Sequence, residues 1–354
     1  MSAKNLSALR KAAAAVIAAV TVAVSAGAAH ADDITGAGAT FPQPIYTRWG
    51  ELYGAAGGDK LNYQGVGSGA GVTQIVNRTV DFGASDTPVA PERLSSQQLL
   101  QFPAVIGAAV FAVNIPGVDG NNLKLTGPVV AQMYLGSIKM WNDAKIKALN
   151  PGVNLPAVPI APAYRADSSG TTNMVTTYLA SVDLKFSTTI GAGNSVAWKT
   201  GIGAPGNAGV AGAVRNTRGG IGYVEYAYAT ENGMQTPILQ NRSGAFVKPS
   251  QAAFAASAAT ADWAKAPNMA ASMINTAGAA NWPIVSASYI LLPLNPSDAE
   301  RSRNVMKFID WAWKNGAPAA DQLHYIMVPA AVQNQARAKW KTVKANGQAV
   351  WSGS

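Results

Sequence analysis

Phe102-Pro-Ala-Val-Ile-Gly-Ala-Ala-Val-Phe-Ala-Val-Asn114 carries no charge and only one polar side chain, at its last position. Such a run reads as a buried strand. Two more segments read the same way, Gly220 to Ala227 and Trp282 to Leu292. Between them the apolar spacing changes from continuous to helical. Ile75, Val76, Thr79 and Val80 share one helical face, and so do Val305, Phe308, Ile309 and Trp313. Strands alternating with helices predict an α/β layered fold. Gly/Pro/Asn-rich stretches at 116–122, 150–162 and 201–209 read as loops. Gln251 to Ala280 is alanine-rich and reads as helices anchored by Phe254, Trp263 and Met273. No repeat of fixed period interrupts this pattern.

The N-terminus speaks to compartment. Lys4, Arg10 and Lys11 precede a thirteen-residue apolar run, Ala12 to Val24, and no acidic residue stands before Asp32. The run is short for a spanning helix and suits a secretion leader, with Ala29-His30-Ala31 as the cleavage site. Cleavage after Ala31 would leave 323 of the 354 residues, enough for a core that needs no disulfides. The chain has no cysteine, which excludes thiolate metal sites, cysteine nucleophiles and a lipidated cysteine after the leader. A soluble periplasmic protein is the simplest expectation. The formal charge of +9 falls to +6 once three leader cations are removed. Charged residues make up 13% of the chain, and the basic ones are dispersed, so nucleic acid is not an expected partner.

Four short segments carry candidate chemistry. In Ile34-Thr-Gly-Ala-Gly-Ala-Thr-Phe-Pro-Gln-Pro-Ile-Tyr46, small residues lead into Thr40-Phe41, and Phe41, Ile45, Trp49 and Leu52 recur at helical spacing. That predicts a helix starting at Thr40-Phe41, whose unpaired N–H groups would suit an anion; an ordinary capped helix would look the same. Gly65-Val-Gly-Ser-Gly-Ala-Gly71 opens a second helix expected to run to Val80. Gly65, Gly67 and Ala70, with Asp86 further on, mimic a dinucleotide fingerprint. However, Asp59 to Gln64 is too polar for the central parallel strand which that motif requires. Asp81-Phe-Gly-Ala-Ser-Asp86 ends on a carboxylate that follows small residues. It is read either as a close-approach group or as a cap for the next turn. Arg165-Ala-Asp-Ser-Ser-Gly-Thr171 opens a helix behind an arginine whose planar fork suits oxyanions, with Asp167 placed to brace it.

Catalytic patterns are sparse. His324 would be the sole histidine after cleavage, and it is read as a partly buried helix residue. No nucleophile elbow surrounds Ser68 or Ser169, since Val66 and Asp167 stand where glycine belongs. Zinc-helix, calcium-loop and phosphate-loop patterns are missing as well. Neutral donors, one arginine and one carboxylate therefore suit an anion that itself has a proton to give. An ionised aspartate only accepts hydrogen bonds, so it would favour the P–OH of hydrogen phosphate and reject sulfate.

The segments TGAGATFPQPIY, NYQGVGSGAGVTQI, VDFGASDTP, YLGSIKMWND, RADSSGTT and IGYVEYAYA occur in that order between Asp32 and about Lys344. Together they resemble the periplasmic phosphate-binding proteins of high-affinity phosphate ABC transporters. The resemblance implies a two-lobed, type II periplasmic binding-protein fold with the ligand in the cleft. It places phosphate contacts on Thr40, Phe41 (through its backbone N–H), Ser68 and Asp86 of the first lobe. In the second lobe it places them on Arg165, Ser169, Gly170 and Thr171. It further implies no cofactor, no enzymatic activity, a monomer, and a membrane permease with its ATPase as partners.

Lobe crossings are expected near Asn114 and Pro283, giving a first lobe over residues 32–113 and 284–354 and a second over 114–283. The chain departs from the family pattern at Ser168, usually glycine, and at Tyr164, often a second arginine. Ser168 is expected either to add a donor or to crowd the turn. The rival readings are a receptor for another oxyanion and a periplasmic phosphatase or serine hydrolase acting through Ser68 or Ser169.

Overall fold

A computed structural model describes residues 33–353; the leader expected over residues 1–31 lies outside them. The strand read at Phe102–Asn114 is longer at its start, β4 (Leu99–Asn114), and is buried along all but its last residue. Before it come β1 (Ile34–Gly38), β2 (Leu61–Gly65) and β3 (Phe82–Ser85). After it come β5 (Ala161–Arg165), β6 (Ile202–Ala204), β7 (Gly220–Glu225) and β8 (Ile284–Pro293).

The main sheet runs β2-β1-β3-β8-β4-β7-β5-β6. β4 joins its two halves by changing partner along its length. Its residues up to Ala108 pair antiparallel with β8, and from Ala109 to Asn114 it pairs antiparallel with β7. One half is therefore β1–β3 with β8, and the other is β5–β7, with β4 as a continuous spine. Parallel pairs β1/β2, β1/β3, β5/β7 and β5/β6 flank that spine. This is a two-lobed mixed α/β architecture. The polar segment before Gly65 forms β2, an edge strand exposed at alternate residues, which agrees with rejecting a dinucleotide fold.

Helix α1 (Gln43–Ala55) begins three residues later than the sequence suggests. Thr40 to Pro42 form a turn instead, and the Thr40 side chain does not cap the helix. The apolar stripe is still used: Phe41, Ile45, Trp49 and Tyr53 are buried, with Leu52 at the margin. Fully burying each of these side chains stabilises the fold by about 1.5–3 kcal/mol. Gly107 in mid-β4 makes room for this packing, since a Cβ there would lie 2.8 Å from the Phe41 ring.

Helix α2 (Ser68–Val76) ends before Val80, because Arg78 takes a left-handed turn at φ 59°. Helix α3 (Gly170–Val182) follows the arginine segment as expected. The 201–209 stretch is not a loop: it holds β6 and the start of helix α4 (Gly206–Asn216). Only Gln251–Ala258 of the alanine-rich region is α-helical, although Phe254, Trp263 and Met273 are buried as expected. Helix α5 (Ala299–Asn315) buries Val305, Phe308, Ile309 and Trp313 on one face.

Candidate functional site

All eight residues singled out from the sequence are buried, and they gather where the two halves of the sheet meet. The small residues explain how. Gly38 ends β1, and a Cβ on Gly71 of α2 would fall 2.4 Å from the Gly38 Cα, so helix and strand touch backbone to backbone. That contact sets Ser68, the first residue of α2, beside Asp86 at the end of β3. The Asp86 N–H donates to Ser68 Oγ at 3.2 Å. From the other half the Gly170 N–H donates to the same oxygen at 3.1 Å. A side chain at Gly170 would collide with Asp86, with Cβ to Cβ at 2.6 Å.

Asp86 does not cap the following helix, whose N-cap is Ala90. Its Oδ1 accepts from Ser288 Oγ of β8 at 2.8 Å, and its Oδ2 lies 3.5 Å from Ser68 Oγ, too far for a firm bond. Burial pushes the Asp86 carboxyl up to about 7; the Ser288 hydroxyl, the Arg165 charge and the Ser68 hydroxyl oppose that rise. One carboxylate oxygen is thus held from behind while the other faces the cleft.

Arg165, at the end of β5, has a side chain that is 1% exposed. Its Nε donates to Asp167 Oδ1 at 2.8 Å, and a second guanidinium nitrogen pairs with Oδ2, the brace expected from their spacing. Asp167 Oδ1 also accepts the Gly206 N–H at 3.0 Å. Burial would raise the Asp167 carboxyl, but the Arg165 guanidinium together with the N–H groups of Gly206 and of Asp167 itself outweighs it and holds the group below the usual carboxylate range. The remaining Arg165 nitrogen donates to Thr171 Oγ1 at 3.3 Å. Ser169 caps α3 by accepting the Thr172 N–H at 3.1 Å.

Thr40 sits across from this group. Its Oγ1 accepts from Asn207 twice, from the backbone N–H at 3.2 Å and from Nδ2 at 2.8 Å. Thr171 Oγ1 accepts from Asn207 Nδ2 as well, at 3.4 Å. A hydroxyl has two lone pairs and one proton. Thr40, Ser68 and Thr171 each receive two N–H groups, so each has only its own proton left to offer. The site is an array of enforced donors around one carboxylate acceptor and one guanidinium. A groove of about 550 Å³ opens beside it, between Gln43–Glu51 and Pro205–Ala208.

A model of the PBP superfamily domain matches residues 23–315. The phosphate-binding protein PstS of Pasteurella multocida (strain Pm70) is 47% identical over 324 residues, covering 91% of this chain and 94% of its own. Its namesake from Haemophilus influenzae is 46% identical over 314 residues, 89% and 94% of the two chains. This chain belongs to the PstS family of the PBP superfamily. The solved phosphate-binding protein from Stenotrophomonas maltophilia matches the fold with a TM-score of 0.66, at 19% identity over 90% of this chain and 96% of that one.

The two positions expected to depart from the family pattern, Ser168 and Tyr164, have physical accounts in this fold. Ser168 packs over α2: its carbonyl accepts the Gly69 N–H at 3.1 Å, and its Oγ would lie 2.3 Å from any Cβ at position 69. It crowds the contact between the halves, and glycine at 69 accommodates it. Tyr164 stacks on Trp198 with ring centroids 5.5 Å apart, taking an aromatic role in place of a second cation.

Several residues that shape the candidate site are not marked in the sequence. Tyr63, Tyr228 and Tyr325 each donate a hydroxyl, at 2.6 Å, to the consecutive carbonyls of Ala39, Thr40 and Phe41. They fix the turn before α1. Nothing in the sequence sets these tyrosines apart from core aromatics. Asn207 sits in a stretch read as loop, and Ser288 in one read only as a buried strand. His324 is partly buried, as expected. It lies in a left-handed turn after a short helix rather than within one, its ring 5.2 Å from that of Tyr226. Among the described residues no group of three His, Cys, Asp or Glu could hold a metal.

Proposed function

We propose that this protein binds inorganic phosphate between its lobes and delivers it to the permease and ATPase of a phosphate ABC transporter. The observation that carries the reading is the hydrogen-bond polarity of the site: three hydroxyls with both lone pairs occupied, facing one buried carboxylate. The donors are Thr40, the Phe41 N–H, Ser68, Ser169 and Thr171, with Arg165 supplying positive charge and Asp86 accepting P–OH; the Gly170 N–H, expected among them, is committed to Ser68 Oγ and acts through that hydroxyl. Hydrogen bonds to a charged group contribute roughly 1.5–3 kcal/mol each, so several together offset the dehydration of phosphate. The names borne by the relatives from Pasteurella multocida and Haemophilus influenzae support the same ligand.

The role is reception rather than catalysis. The hydroxyls of Ser68 and Ser169 accept backbone N–H groups, and the His324 ring packs on Tyr226, an arrangement that favours holding an anion over attacking one. The leader over residues 1–31 would send the chain to the periplasm as a soluble monomer. No helix among the described residues is long and apolar enough to cross a membrane, which is compatible with that placement. We take the first lobe as residues 32–113 with 284–354 and the second as 114–283. The partner exchange along β4 and the start of β8 at Ile284 support this division, the first crossing falling within β4.

The test is a calorimetric titration of the processed chain with inorganic phosphate. One phosphate per chain at micromolar or tighter affinity is expected. Absence of heat, together with an unshifted melting temperature at millimolar phosphate, would overturn the reading.

A further inference from the structure

Asn207 is fully buried at the first turn of α4 and directs its side-chain amide and its backbone N–H to its neighbours. Its Oδ1 accepts the Glu225 N–H at 3.0 Å, which fixes the amide plane. Its Nδ2 then reaches Thr40 Oγ1 at 2.8 Å and Thr171 Oγ1 at 3.4 Å, and its backbone N–H reaches Thr40 Oγ1 at 3.2 Å. Thr40 follows β1, whereas Asn207 and Thr171 belong to helices that follow β6 and β5. The amide therefore ties the two halves of the cleft together at Thr40.

We propose that Asn207 is a positioning residue for anion binding, which turns the Thr40 and Thr171 hydroxyl protons toward the ligand and latches Thr40 to the opposite half. The proposal rests on the phosphate reading for its affinity arm. The effect on the hydroxyls is directional. A free threonine hydroxyl rotates and presents either its proton or a lone pair, and a lone pair repels an anion. Once two N–H groups occupy the lone pairs, the proton has one direction left. Thr40 is held this way by Asn207 alone, and Thr171 by Asn207 together with Arg165. Asn207 itself need not touch the anion for this to hold.

The experiment is a double-mutant cycle. Phosphate affinity is measured by calorimetry for wild type, Asn207→Ala, Thr40→Val and the double variant, with melting curves to confirm folding. If Asn207 acts through Thr40, each single change weakens phosphate by about tenfold and the double variant loses little more. Losses that multiply to about a hundredfold would overturn the proposal. A parallel cycle with Thr171→Val guards against misfolding of either Thr40 variant. A second readout needs no phosphate: the Asn207 side-chain amide resonances should move in Thr40→Val. Unmoved resonances contradict the latch whatever the titrations give. Moved resonances in a wild type that ignores phosphate would sustain the latch while sinking the phosphate reading.

Discussion

Asp86 shows how one side chain acquires a function from its surroundings. The residue sits at the end of a buried strand, one oxygen tied to Ser288 and the other turned to the cleft. Burial raises its carboxyl to about 7 from an ordinary value of 3.8. A carboxyl raised in the folded state binds its proton more tightly there than in the unfolded chain. Its contribution to stability is therefore full below about pH 4 and is lost as pH rises through about 7. In melting curves taken without phosphate across that window, Asp86→Asn should flatten part of the decline. An identical slope in the variant would show that Asp86 titrates like an exposed carboxyl. On the proposed reading phosphate binding should reverse the preference, since a P–OH donor needs the ionised form, and Arg165 supplies compensating charge nearby.

At the scale of elements, helix starts are brought together by glycines that let backbones touch. Gly67 takes φ +95°, and a Cβ there would meet Asp167 at 2.5 Å; one on Gly170 would meet Asp86 at 2.6 Å and Ser68 at 2.7 Å. Gly170→Ala should therefore prop the halves apart. Phosphate affinity should fall by about 10- to 100-fold while the melting temperature without phosphate changes little. Unchanged affinity would mean that α3 does not approach β3 in the bound state.

The same elements mark the limit of what a sequence makes legible. Buried strands such as β4 and β7 can be read directly because a continuous apolar run has few other uses. The start of α1 cannot, because Thr40 resembles a cap while its hydroxyl is engaged by Asn207, 167 residues away. Tyr228, Tyr325 and Ser288 were illegible for the same reason. Their roles come from partners far along the chain, and no local spacing encodes them. The candidate ligand residues are legible through motif resemblance, because residue chemistry alone leaves each segment open.

For the molecule as a whole, β4 is the element that both halves share, and the cleft contacts are what separate on opening. The amides of Gly69, Gly170 and Asn207 donate across the cleft to Ser168, Ser68 and Thr40, whereas β4 pairs along its length with β8 and β7, its Val113 N–H donating to the Gln235 carbonyl. Phosphate should slow hydrogen exchange at the first three and leave β4 unaltered; uniform slowing would indicate global stabilisation without hinge closure. On the proposed reading this cleft senses a proton on its ligand through Asp86. The most direct measurement is the ratio of phosphate to sulfate affinity at neutral pH, in wild type and in Asp86→Asn. We predict a preference for phosphate of at least about a thousandfold in wild type, collapsing by orders of magnitude in the variant. Equal affinity for the two anions in the wild-type protein would contradict it.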